Sequence, residues 1–178
     1  MNRSLSQPLN QKLQSVKLLV MDVDGILTDG TLSFLADGTE VKTFSILDGL
    51  GLKLLMQSGV ETAIITGRSS PQVELRAKSL GINFTQQGRE DKLSALTELW
   101  HRTGYGPENT AYIGDDLPDL AAIRACVFGA TVPNGHWFVR EHADWITETM
   151  GGKGAVRELC DQIMLAQKTL EASLESYR

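Results

Sequence analysis

Only two cysteines occur in the 178 residues, Cys126 and Cys160, too few for a disulfide framework. Lone cysteines in apolar surroundings are ordinarily buried structural residues. So few of them, with no secretory leader, point to the reducing cytoplasm. The stretch 1–15 is polar and lacks the apolar core of a leader. No apolar run approaches the roughly 20 residues a membrane-spanning helix needs. Positive charge is in the minority: 17 lysines and arginines face 22 acids, for a net charge of -5 with no basic stripe. That balance argues against general nucleic-acid binding. Proline is scarce, at five residues. Two of the five, in Ser70-Pro71 and Leu117-Pro118, fall where a first helical turn tolerates a missing N–H. Internal repeats, low-complexity tracts and long linkers are absent, so residues 1–178 read as a single domain, long enough for a full core.

What is present is ordinary in bulk and ordered in detail. Hydrophobic residues make up 42% and charged residues 22%, the balance of a globular protein. Apolar runs at 17–21, 62–65, 82–85, 110–113, 127–130 and 145–146 read as strands. Helical patterns at 49–58, 71–80, 92–103, 118–125, 136–142 and 155–176 alternate with them. This alternation predicts an α/β fold: a doubly wound, Rossmann-like parallel sheet with helices on both faces. Gly59, Gly81 and Gly104 each follow a helical pattern, as a left-handed C-cap should. Val156, Leu159, Ile163, Ala166 and Leu170 mark one apolar face of the last helix, and 171–178 is a polar tail. One segment breaks the rhythm. Residues 31–35 and 40–44 flank Ala36-Asp37-Gly38 and read as a hairpin between the first strand and its helix. Placed there, it projects as a small flap.

The chemistry-bearing residues cluster just after apolar strands, where ligands bind in an open α/β sheet. Asp22-Val23-Asp24-Gly25 puts two acids at i and i+2 of an extended segment, pointing the same way. Alone this could be a solvated turn. Two carboxylates so close also repel unless a cation or shared proton compensates, which suits a divalent metal and acid/base chemistry. Thr66-Gly67-Arg68 offers a hydroxyl, a permissive glycine, free N–H groups and a guanidinium, all suited to phosphate. Lys92 opens a helix and by itself is an ordinary helix residue. Gly114-Asp115-Asp116-Leu117-Pro118-Asp119 carries more acids than a helix cap needs and resembles a hard-cation site of the Mg²⁺ kind.

These elements, in this order and at these strand ends, resemble the haloacid dehalogenase-like phosphohydrolase superfamily over nearly the whole chain. The nine-residue stretch from Asp22 to Gly30, with a hairpin instead of a large cap domain, narrows the likeness. So do Phe44, Asp48-Gly49-Leu50-Gly51, Arg76, Gly88, Lys92 and Gly151-Gly152-Lys153-Gly154-Ala155-Val156-Arg157-Glu158. Together they resemble the 3-deoxy-D-manno-octulosonate 8-phosphate (Kdo-8-phosphate) phosphatases of lipopolysaccharide biosynthesis.

The resemblance implies Asp22 as nucleophile, forming an aspartyl-phosphate, and Asp24 as acid and base. It implies Mg²⁺ on Asp22, the Asp24 carbonyl and Asp115. Substrate contacts would come from Asp24, Ser45, Ile46, Leu47, Asp48, Gly49, Lys53, Thr66, Gly67, Arg68, Arg76 and Lys92. The family often has arginine at Lys53; lysine keeps the charge and loses the fork. The resemblance also implies a homotetramer in which a neighbour's hairpin helps close each site. Several residues keep a plainer alternative. Arg76 could lie on a solvated helix face, Asp48 could be an N-cap, and the Gly151–Gly154 stretch could be a flexible loop. Asp116 and Asp119 have no assigned ligand role, Asp119 being a candidate cap or orienting group. His136 and Trp137 carry no catalytic role, and His101 and His142 read as surface residues. A nonulosonate 9-phosphate phosphatase, a phosphotransferase or mutase, and a non-catalytic regulatory or assembly domain remain as other readings.

Overall fold

The computed structural model describes residues 5–175 and 177–178. A short helix α1 (Gln7–Gln14) precedes strand β1 (Leu18–Met21). The hairpin β2 (Ser33–Phe34) and β3 (Glu40–Val41) follows, then α2 (Ile46–Gln57), β4 (Glu61–Ile65), α3 (Pro71–Leu80) and β5 (Phe84–Gln86). The second half runs α4 (Lys92–Thr103), β6 (Thr110–Ile113), α5 (Leu120–Ala125), β7 (Phe128–Thr131), α6 (Trp137–His142) and β8 (Trp145–Ile146). It closes with α7 (Ala155–Ala166) and α8 (Leu170–Glu175). The sheet has the order β5-β4-β1-β6-β7-β8, and its strand pairs are all parallel. The doubly wound α/β fold expected from the alternation is the fold observed.

β1 is central, and side-chain alternation explains why every one of its residues is apolar. Leu19 and Met21 enter the core on one face, packed with α1, α2, α3 and α7. Leu18 and Val20 enter the opposite core, with Ala95, Leu96 and Leu99 of α4, Ile123 of α5 and Val139 of α6. A strand buried on both faces has no polar position until it ends, and β1 ends at Asp22. Gly81 (φ 82°) and Gly104 (φ 76°) are the left-handed C-caps that the sequence suggests. Gly59 (φ 97°) closes α2 in a similar way, directly after the cap residue Ser58.

The structure departs from the expectations in five places. The polar N-terminal segment forms α1, because Leu13 is fully buried and Gln167 Nε2 donates to the carbonyls of Leu13 (3.2 Å) and Val16 (2.7 Å). Full burial of one leucine stabilises by roughly 2 kcal/mol, enough to hold a helix of poor periodicity. α2 begins at Ile46 and not at Gly49, since Ser45 is its N-cap and accepts the Asp48 N–H at 3.4 Å. The long last helix is two helices, broken where Lys168 adopts φ 60°; Ser176, its expected end, lies outside the described residues. The hairpin pairs over only two residues per strand, about a loop in which Gly38 has φ 84°. Finally, Pro118 is the middle residue of a 3-10 turn, Leu117–Asp119, and α5 begins only after it, at Leu120.

Candidate active site

β1, β4 and β6 deliver Asp22, Thr66 and Asp115 to one edge of the sheet. A cleft of about 600 Å³ opens there. Asp22, Asp24, Thr66, Gly67, Arg68, Lys92 and Asp115 line it, together with Gly30, Glu90, Asp116, Pro118 and Asp119. Each strand-end motif singled out in the sequence thus reaches one space.

The floor is a tight charged cluster. Lys92, at the start of α4, places Nζ 2.7 Å from Asp22 Oδ1 and 2.7 Å from Asp119 Oδ1. Asp119 is fully occupied. The Tyr112 hydroxyl donates to Oδ1 at 2.9 Å, and the N–H groups of Asp115 and Asp116 donate to Oδ2 at 3.2 and 3.3 Å. Its role is therefore to orient: it holds the lysine and shapes the loop that presents Asp115. That loop is fixed from behind as well, since the His136 N–H donates to the Asp115 carbonyl at 2.7 Å. His136 Nδ1 accepts the Phe138 N–H at 3.2 Å, a helix cap and no part of the cleft. His101 and His142 are exposed, as expected.

Electrostatics define what the floor lacks. Carboxylate oxygens of Asp22, Asp115 and Asp119 lie within 4.8 Å of one another. Three acids share one ammonium. Burial first, then the Asp119 charge, pushes Asp22 up to about 7 from the usual 3.8, against the pull of Lys92. The same two causes, with Asp116 added, push Asp115 up to about 7. A hard divalent cation suits this all-oxygen set and removes the repulsion. Asp22 and Asp115 are the side chains free to hold it, because the oxygens of Asp119 are already engaged. Gly25 is required beside them: its φ is 89°, and a Cβ there would stand 2.1 Å from Asp115 Oδ2.

A second cluster covers Asp24 and has no counterpart among the sequence motifs. Lys42 and Glu40, both from the hairpin, reach down to it. Lys42 Nζ is bonded to Asp24 Oδ1 and lies 3.0 Å from Glu40 Oε1. Arg68 Nη2 donates to Glu40 Oε2 at 2.6 Å, and Arg68 Nε stands 3.8 Å from Asp24 Oδ2. The i, i+2 spacing of Glu40 and Lys42, with exposed Val41 between them, is the sequence signal that could have found them.

The remaining expected contacts do not line the cleft of this chain. Ile46 (82% exposed) and Leu47 (54% exposed) face solvent, and Lys53 is exposed on α2. Arg76 donates to the Ser45 carbonyl at 2.9 Å and stands 5.8 Å from the Phe44 ring, so it braces the start of α2 and is not a solvated-face residue. Gly49 is what lets Arg76 pack there, as a Cβ would meet Nη2 at 2.4 Å. Asp48 is buried and faces α7. Its carboxylate accepts the Arg157 N–H at 2.8 Å, and burial raises it above the ordinary carboxylate range despite that bond and further N–H bonds from Gly154 and Val156. It caps a helix, but that helix is α7, whose own N-cap, Gly154, has no side chain to do so.

The Gly151–Gly154 stretch is not a free loop. The Gly152 N–H donates to the Ile26 carbonyl at 2.8 Å, and a Cβ on Gly151 would lie 1.7 Å from the Gly25 carbonyl oxygen. It presses against the turn that carries Asp22 and Asp24.

A parallel α/β sheet with a carboxylate at the end of its first strand, a strand-end threonine, a buried lysine and an acidic cluster fit for a metal defines the haloacid dehalogenase-like class of hydrolases. The model of that class matches residues 87–159. A 3-deoxy-D-manno-octulosonate 8-phosphate phosphatase, KdsC, of Escherichia coli (strain B / BL21-DE3) is 40% identical over 94% of this chain and 89% of its own. The corresponding phosphatase of Moraxella catarrhalis, solved with a magnesium ion, a phosphate ion and a KDO molecule, is 49% identical. It superposes with a TM-score of 0.96 over 98% of this chain and 100% of that one. A cobalt-bound relative from Haemophilus influenzae gives 41% identity and a TM-score of 0.88 over 91% of this chain and 95% of that one. The chain belongs to the 3-deoxy-D-manno-octulosonate 8-phosphate phosphatase family.

Proposed function

We propose that this chain hydrolyses 3-deoxy-D-manno-octulosonate 8-phosphate to Kdo and inorganic phosphate, with Mg²⁺ bound by Asp22 and Asp115 and by the Asp24 carbonyl. The observation that carries the proposal is the floor: a buried strand-end carboxylate, Asp22, 2.7 Å from a buried ammonium and grouped with Asp115, in a chain of this family. Bound there, the cation offsets repulsion between the Asp22 carboxylate and the phosphate and stabilises charge on the transferring group.

The chain's own residues then divide the work. An Asp22 oxygen attacks phosphorus, the bond from phosphorus to the ester oxygen breaks, and an aspartyl-phosphate forms. Asp24 gives a proton to the departing alkoxide and takes one back from the water that cleaves the aspartyl-phosphate. Lys92, held by Asp119, keeps positive charge beside the phosphoryl oxygens, and Thr66 with the Gly67 backbone offers hydrogen bonds to them. Arg68, at the rim, is placed for the anionic sugar acid.

Asp116 lines the cleft but is spent as a cap on the Leu117 N–H at 2.8 Å. A regulatory or assembly role is disfavoured because the floor keeps every group the chemistry needs. The 178 residues act as one catalytic domain. The contacts expected from Ser45–Gly49, Lys53 and Arg76 lie outside this chain's own cleft, and Ile46 and Leu47 among them are exposed apolar side chains, which supports a homotetramer whose neighbours complete one another's sites. Two unpaired cysteines are in keeping with a cytoplasmic enzyme. Among the described residues no helix is long and apolar enough to cross a membrane.

Phosphate release from Kdo-8-phosphate, with Mg²⁺ and with chelator, beside a nonulosonate 9-phosphate, tests the reading. Metal-dependent turnover that favours Kdo-8-phosphate is expected. A preference for the nonulosonate would move the assignment to that substrate.

A further inference from the structure

We infer that Lys42 is a positioning residue for the reaction: the hairpin uses its ammonium to hold the Asp24 carboxylate toward the leaving group. The inference rests on the assignment of Asp24 as proton donor. Three observations carry it. The Lys42 side chain is only 3% exposed, although it stands in a short hairpin whose apolar residues Phe34, Leu35 and Val41 face solvent. An ammonium is rarely buried without a partner that needs it. Its partners are Asp24 Oδ1 and, at 3.0 Å, Glu40 Oε1. Asp24 Oδ2 lies 3.8 Å from Arg68 Nε, beyond direct hydrogen-bond reach, and the residue lines the cleft.

This division gives the carboxylate one tethered and one working oxygen. An aspartate at a strand end has staggered χ1 choices, and the one seen here is the one that brings Oδ1 to Lys42. Lys42 selects it. Glu40 selects Lys42 in turn, and also grips Arg68 at 2.6 Å, so the same hairpin residue ties the acid to the rim.

A merely structural lysine and a positioning lysine differ in which substrate suffers when the residue is removed. An alkyl phosphate has a poor leaving group and needs the proton from Asp24; p-nitrophenyl phosphate leaves as a stable phenolate and does not. kcat/KM reports events up to leaving-group departure for both. With K42M, kcat/KM on Kdo-8-phosphate is expected to fall about 100-fold, the scale of a misplaced catalytic group. On p-nitrophenyl phosphate it is expected to fall less than about fivefold, since proton donation contributes little there. K42R keeps a cation at the position and is expected to recover most of the loss on the sugar ester. Equal losses on both substrates in K42M, no loss on either in K42M, or a K42R that loses as much on the sugar ester as K42M, overturn the inference and leave the phosphatase reading standing. A wild-type protein that cleaves neither substrate sinks both together.

Discussion

The floor of the cleft and its rim are built on opposite terms. On the floor, Asp22, Lys92, Tyr112 and Asp119 are buried and tied together by bonds of 2.7 to 2.9 Å. At the rim, Ile46, Leu47, Phe34 and Leu35 are apolar side chains left in water, and Lys53 is an exposed cation. The floor is closed by bonds within one chain, whereas these apolar side chains have no cover within it. In the proposed assembly, the groups for phosphoryl transfer come from a single copy and the choice of sugar falls to the surfaces between copies.

The most severe way to break the floor is Asp22→Asn. It removes the attacking oxygen and a metal ligand together, so phosphate release should fall by on the order of 10⁴-fold or more, as when a nucleophile is deleted. Wild-type-like turnover in that variant would refute the nucleophile assignment. Lys92→Met comes next. It strips the shared cation from buried Asp22 and Asp119, and breaking a buried ion pair from one side costs about 3–5 kcal/mol. Urea denaturation of the metal-free variant against wild type measures that loss; a difference below about 1 kcal/mol would show that the floor does not depend on the pair.

The pH response sharpens the same contrast. Asp22 and Asp115 move up from 3.8 to about 7 in the fold, chiefly through burial. Raised acids make the metal-free folded state bind more protons than the unfolded state across that window. Their contribution to stability is therefore present below pH 3.8 and is lost as pH rises toward about 7. A cation needs them deprotonated, so its affinity rises over the same interval. The thermal shift produced by Mg²⁺ should be larger at pH about 8 than at pH about 5. An equal shift at both would place the cation elsewhere.

The rim responds most gently to stability measurements. The pair Ile46→Ser and Leu47→Ser removes exposed apolar surface and should change single-chain stability by less than about 0.5 kcal/mol. Light scattering should nonetheless show a smaller assembly, and KM for the sugar phosphate should rise while the metal response stays intact. An unchanged mass would detach the rim from assembly.

How far the sequence could be read follows the same division. Asp22, Thr66 and Asp115 were legible because each stands within two residues of the end of a strand whose closing residues are apolar, and Lys92 only through its place in order beside them. Glu40 and Lys42 were not, because an inward polar face and an outward Val41 invert the usual alternation, and only the folded hairpin shows which side is in. Asp48 read as a cap at its own helix, but its carboxylate turned to a helix over a hundred positions away. The break at Lys168 carries no glycine or proline, and α1 has too few apolar residues to declare itself. In each case a distant contact overrode the local pattern.

The turn bearing Asp22 and Asp24 leans on the backbone of Gly151, which lies over a hundred positions further along the chain. β1 is likewise flanked on both edges by strands that follow it in the chain, β4 and β6. A copy cut short of Gly151 would lack this contact, and the turn bearing Asp22 and Asp24 would lose the backbone packed against it.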